Sequence, residues 1–230
     1  MDPSDRAAAS GGDAVGPPEK PADPLRAKDA EPAEPVKHGA EAEHRTEAEH
    51  YVSRAGVKLA FALGAFHIDP AGMTVADFGS NVGGFVDCLL QRNAARVYAI
   101  DTGYGVLAWK LRKDARVVTR ERANALRIVL PERVDLVTVD VGWTRQHQAL
   151  PAAKRALRPG GQIITLIKPH YENPAALKSG GVLSAIQAAE TLALTLEQIR
   201  GLGFTVRGSV PSPLVGQHGN AEYLAWVTPT

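Results

Sequence analysis

At 230 residues, with an apolar share of 44%, the chain can bury the core of one α/β domain and carry a tail besides. A lone cysteine, Cys88, excludes an internal disulfide and a cysteine-based zinc cluster. No apolar run approaches the roughly 20 residues of a membrane span, so no membrane role is expected. The formal charge of +1 conceals an asymmetry. Residues 1–50 carry six basic against twelve acidic residues, and the remainder is about +7. A basic domain suits an anionic partner such as RNA, and a merely solvated surface fits the same charge.

The first segment, 1–46, is acidic and rich in Pro and Ala. It cannot bury enough apolar surface to offset its ordering entropy and is expected to be disordered. It lacks the basic and apolar runs of a signal peptide, which predicts a cytoplasmic protein. The domain is expected over 47–230. Helical spacing begins after Tyr51, with Ser53 a candidate N-cap, and runs through Phe66. Strands are then predicted at 74–78, 96–100, 117–119, 135–139, 162–167, 204–210 and 222–227. Helices are predicted at 84–92, 106–113, 146–157 and 183–202. Strands separated by helices form parallel units with right-handed crossovers. The last two strands have only a Pro- and Gly-bearing loop between them, so they should pair antiparallel. The fold class is therefore α/β: a Rossmann-like, mostly parallel seven-stranded sheet with an antiparallel C-terminal hairpin and helices on both faces.

Asp77-Phe78-Gly79-Ser80-Asn81-Val82-Gly83-Gly84-Phe85 joins the first strand to a helix, at the sheet edge where open α/β sheets bind ligands. Gly79, Gly83 and Gly84 permit tight turning or close ligand approach. Ser80 and Phe85 complete the loop, and Asp77 can orient an amino group. Asp101 ends the second strand, 24 residues on, where a carboxylate can accept both hydroxyls of a ribose. Asn124, after the third strand, can bond an adenine edge or serve as a loop or helix cap. These residues point to a nucleoside-bearing cofactor, NAD included. No Gly-Lys-Ser/Thr closes the loop, which excludes a P-loop.

Four more residues stand out. Asp140 and Lys168 end the fourth and fifth strands and should share one cleft, Asp140 bordering the cofactor as well. Lys58 lies on the first helix, and Glu222 opens the last strand. Burial and a second cation would lower the Lys168 pKa while two carboxylates would raise it, and these effects oppose. Tyr104 and Trp109 could stack on a base, though as apolar members of a helix start they read first as packing residues. His67, His147, His170 and His218 show no metal-ligand spacing and read as surface or loop residues, so no metal is expected.

The run Tyr51-Val52-Ser53-Arg54-Ala55-Gly56-Val57-Lys58-Leu59 resembles the TlyA (hemolysin A-like) family of FtsJ-like ribosomal RNA 2′-O-methyltransferases. So do Val86-Asp87-Cys88-Leu89-Leu90-Gln91-Arg92, Asp101-Thr102-Gly103-Tyr104-Gly105, Leu107-Ala108-Trp109-Lys110-Leu111-Arg112, Leu166-Ile167-Lys168-Pro169 and Gly219-Asn220-Ala221-Glu222-Tyr223. The resemblance covers roughly 51–228. It implies S-adenosyl-L-methionine as cofactor, RNA (ribosomal RNA by resemblance) as substrate, and a Lys-Asp-Lys-Glu catalytic tetrad on Lys58, Asp140, Lys168 and Glu222. Family members carry an S4-type RNA-binding domain where this chain has its acidic tail, so a partner protein is a candidate source of RNA affinity. Val141-Gly142-Trp143-Thr144-Arg145 also departs from the family pattern. Two alternatives stay open: methylation of a small-molecule hydroxyl, and a catalytically silent cofactor-binding protein.

Overall fold

A computed structural model describes residues 50–173, 175–176 and 181–230, so segment 1–46 and part of the loop 175–183 lie outside the described residues. Helix α1 (Ala55–Ala65) leads into β1 (Thr74–Phe78), α2 (Gly84–Gln91), β2 (Arg96–Ile100), the short α3 (Trp109–Arg112) and β3 (Val117–Arg120). Then follow β4 (Val134–Val139), α4 (Gln146–Ala156), β5 (Leu157–Ile167), the one-turn α5 (Pro169–Glu172), α6 (Ala185–Gly201), β6 (Phe204–Pro211) and β7 (Tyr223–Pro229). The sheet order is β3-β2-β1-β4-β5-β7-β6. The first five strands run parallel, and β7 pairs antiparallel with both β5 and β6.

The strands are apolar on both faces because helices cover both, and every residue of β4 is buried. Successive β1 residues show the alternation. Val75 joins Leu59, Leu63 and Leu89 of α1 and α2 in one core, whereas Ala76 and Phe78 join Leu150 of α4 and Ile199 of α6 in the other. Cys88 lies fully buried in the first of these.

Three local expectations are corrected. Ser53 does not cap α1: Arg54 precedes the helix, with no side-chain capping bond. The Ser53 hydroxyl lies instead against Gly84, where α1 and α2 begin so close together that a β-carbon on Gly84 would overlap it. Helix 106–113 contracts to four residues whose only buried side chain is Leu111. Tyr104 and Trp109 accordingly stand 70% and 68% exposed rather than packed, each with a cation over its ring, Arg122 and Lys113 respectively. Finally, β5 starts five residues early. Leu157 pairs with Val134 and Gln162 with Leu136, so Arg158-Pro159-Gly160-Gly161 bulges out of the ladder. Ser184 caps helix α6: its hydroxyl accepts from the Gln187 amide at 3.2 Å while the Gln187 side chain accepts from the Ser184 amide at 3.0 Å.

The carboxyl ends of β1 and β4 meet closely. The Asp140 amide donates to the Phe78 carbonyl at 2.9 Å. Gly79 follows with φ +87°, and a β-carbon there would collide with the Asp140 carbonyl oxygen. Both conformation and contact require glycine. Gly79→Ala is expected to cost about 2 kcal/mol, lowering the melting temperature by about 4–8 °C for a domain of this size; thermal unfolding followed by circular dichroism checks this.

Candidate active site

The carboxyl edge of the sheet carries a cavity of about 560 Å³, within the usual range for a small-molecule site. Gly79, Asn81, Asp101, Asn124, Asp140, Trp143 and Lys168 are among its lining residues. A smaller recess of about 80 Å³ is bounded by Ser53, Asp77, Gly79, Ser80, Gly84, Phe85 and Asp140. Gly79 and Asp140 border both spaces. Of the expected cofactor residues, Gly83 borders neither. With φ +103° it precedes α2 and is packed under Leu107 and Leu111.

Asp77 is only 1% exposed. Its Oδ1 accepts from the Thr138 hydroxyl at 2.6 Å, while Oδ2 is buried with no hydrogen-bond partner among the described residues. Burial pushes its carboxyl up to about 7; the Thr138 bond works against this, and the Asp140 and Asp101 carboxylates add to it. A buried acceptor without a donor is costly to a folded protein. A ligand ammonium reaching Oδ2 would satisfy it.

Asp101 is partly engaged within the protein. Oδ2 accepts from the Asn81 amide at 2.8 Å and Oδ1 from the Gly103 amide at 2.7 Å, so the carboxylate ties the glycine loop to the turn after β2. A carboxylate offers about four lone-pair sites, which leaves capacity for sugar hydroxyls. The Asn124 side-chain Oδ1 accepts from the Leu126 amide at 2.9 Å, an Asx turn that fixes the loop lining the cavity.

The four charged residues form two ion pairs. Lys168 follows β5 and donates from Nζ to Asp140 Oδ1 at 2.6 Å. Lys58 Nζ, on the second turn of α1, donates to Glu222 Oε2 just ahead of β7. The pairs are electrostatic neighbours: burial pulls the Lys168 pKa down, but Asp140 and then Glu222 outweigh it, so the ammonium is held above its ordinary 10.5. The opposing effects left open by the sequence thus resolve toward a charged lysine. Gly216 presses against the Glu222 side chain, where a β-carbon would collide with its carboxylate.

Three residues near the site were not legible in the sequence. Thr138, a hydroxyl within an otherwise apolar strand, turns out to hold Asp77. Trp143 takes φ +56°, stands exposed, and stacks on Tyr171 with ring centres 5.0 Å apart. His170, expected at the surface, is buried against Tyr171 with Nδ1 unpartnered among the described residues. Burial lowers its pKa although Glu222 opposes this, so it is neutral at physiological pH. The proline after Lys168 starts α5 there and turns the next side chain inward.

Residues 51–228 match the FtsJ-like methyltransferase family model. The chain belongs to the FtsJ-like methyltransferase family. It is 41% identical over 183 residues to the 16S/23S rRNA (cytidine-2′-O)-methyltransferase TlyA of Mycobacterium tuberculosis, across 77% of this chain and 68% of that protein. It is 36% identical over 181 residues to Hemolysin A of Brachyspira hyodysenteriae, across 76% of this chain and 75% of that protein. A solved structure of a hemolysin-named protein from Lactococcus lactis superposes with a TM-score of 0.73 at 37% identity, covering 77% of this chain and 88% of that one.

The cofactor of FtsJ-like methyltransferases is S-adenosylmethionine, and the cavity fits it. Asp77 Oδ2, at the adjoining recess, lacks a donor that an amino group supplies, while Asp101, which can serve the ribose, and the loop 123–126 both line the larger cavity. Because Asp77 titrates near 7 in the free protein, its raised pKa gives stability that is full below the unfolded value of 3.8 and lost as pH rises through about 7. A ligand ammonium reverses that loss. Cofactor affinity is therefore expected to tighten as pH rises from about 6 to about 7.5, as read by calorimetry. Asp77→Asn should flatten the dependence and weaken binding by about 10- to 100-fold, the loss of one charge-assisted hydrogen bond.

Proposed function

We propose that this domain methylates the ribose 2′-hydroxyl of RNA, ribosomal RNA being the substrate its relatives point to, with Lys58, Asp140, Lys168 and Glu222 around the acceptor. The observation that supports this reading is the Lys168–Asp140 pair, both residues lining the cofactor cavity, with the Lys58-paired Glu222 carboxylate close enough to act on Lys168 electrostatically. Bound S-adenosylmethionine supplies an electrophilic methyl group on its sulfonium.

A ribose hydroxyl is a poor nucleophile until its proton is drawn away. Asp140 Oδ2 carries no hydrogen bond among the described residues and is available to accept one from the hydroxyl, while Oδ1 keeps Lys168 in place. The Lys168 ammonium then faces the oxygen on which negative charge grows as the proton is drawn off, a preorganised stabilisation inside a largely buried site. Lys168 keeps its proton in the resting protein, because the carboxylates around it outweigh burial. It acts as a fixed charge and donor rather than as the resting base. Lys58 holds Glu222, and Glu222 adds to the negative field that keeps Lys168 charged. Positioning the hydroxyl in line with the methyl supplies much of the remaining rate. The segment 1–46 stands in this reading as a tail outside the catalytic domain.

Incubation with radiolabelled cofactor and ribosomal RNA from a strain lacking the protein should give label that survives alkali within a dinucleotide. Label in small metabolites alone would sink the RNA reading. Lys168→Ala is expected to lower single-turnover methyl transfer by at least about 100-fold, in line with loss of an oxyanion-stabilising donor, with cofactor affinity within about threefold. The wild-type rate should show no loss attributable to Lys168 up to its ordinary pKa of 10.5.

A further inference from the structure

A second cavity, of about 690 Å³, opens at the opposite edge of the sheet, where the parallel strands begin. Arg133, Lys154, Arg158 and Arg207 line it, with the Gly160-Gly161 turn and the end of β7. It shares no residue with the cofactor cavity, and β4 alone separates the two edges by about 20 Å at 3.3 Å per residue.

Three of its four cations are held by uncharged partners. Arg133 donates to the Arg155 carbonyl, and to the Leu157 carbonyl at 3.2 Å. Arg207 donates from Nε to the Thr228 hydroxyl at 3.2 Å. The Lys154 ammonium sits 5.6 Å from the centre of the Phe204 ring. Only Arg158 meets a carboxylate, Asp135, whose other oxygen accepts from the Thr74 amide at 2.9 Å. Thr230 also borders the cavity, its hydroxyl donating to the Gly203 carbonyl at 2.9 Å. Carbonyl, hydroxyl and ring partners fix the direction of a cation without cancelling its charge. All four heads are exposed, so positive charge is oriented and left open to solvent.

We propose that this cavity binds the phosphodiester backbone of the RNA substrate, as a docking site at the amino edge of the sheet, remote from methyl transfer. The proposal rests on the RNA reading above. Planar guanidinium groups suit phosphate oxygens, with lysine adding a point charge. A folded RNA can reach from one sheet edge round to the other, which a small acceptor cannot. Contacts of this kind fix position without reading sequence, and they supply affinity to a domain whose cofactor cavity borders only a single basic side chain, Lys168.

The test replaces two exposed cations, Lys154→Gln with Arg207→Gln, and measures filter binding of deproteinised ribosomal RNA over a range of salt. Each lost phosphate contact should lower the slope of log affinity against log salt by about 1, so the double variant should fall by about 2. The KM for RNA should rise accordingly, with cofactor affinity at the wild-type level. An unchanged slope overturns the proposal. So does saturable binding of inorganic phosphate, lost in the double variant, with RNA binding unaltered, because the cavity would then serve a free anion. Salt-dependent RNA binding without label in RNA counts against the ribose-methylation reading alone; label in RNA with an unchanged slope counts against the cavity alone.

Discussion

The close approach of Gly79 to the Asp140 carbonyl is the constraint on which the site depends. Parallel pairing of β1 with β4 brings two strand ends side by side, and the Asp140 amide closes the ladder onto Phe78. The glycine turn then has no room for a side chain. One contact therefore fixes both the loop that borders the cofactor cavity and the carboxylate that holds Lys168.

Charge around this edge is arranged in tiers. Asp77, fully enclosed and answered only by Thr138, is poised near neutrality. Asp101 is engaged by two backbone amides. Asp140 and Glu222 each hold a lysine. Chemically similar carboxylates thus do different work because their donors differ: none beyond a hydroxyl, two neutral amides, or an ammonium. The net result is a cation, Lys168, kept charged within a partly buried site where burial alone would have favoured its neutral form.

Much of the fold was legible because the strands are short apolar runs separated by helical spacing, and those runs sit within a residue or two of β1, β2, β4 and β7. The early start of β5 was hidden because Arg158-Pro159-Gly160-Gly161 reads as a turn, and only pairing with Val134 shows that the strand resumes beneath it. Asp140 and Lys168 could be placed in one cleft from strand order alone. The Lys58–Glu222 pair could not, since it spans two distant segments and the family resemblance implied only a set of four residues. Trp143, His170 and Ser53 escaped for a common reason. Whether such side chains face water or protein depends on neighbours that local sequence does not contain, such as the Tyr171 ring or the start of α2.

The Lys58–Glu222 contact joins residues 164 positions apart. It closes a loop that takes in nearly the whole domain, and Glu222 precedes the strand pairing that sets Tyr223 opposite Ile167. A slip of one residue in β7 would turn Glu222 to the other face of the sheet. The half of the domain holding β1, β2 and the glycine turn is built from nearer neighbours in sequence, whereas the second ion pair must await the final strand. Long-range closure of this sort is slow relative to local structure, so the second ion pair is expected among the last contacts of the domain to form.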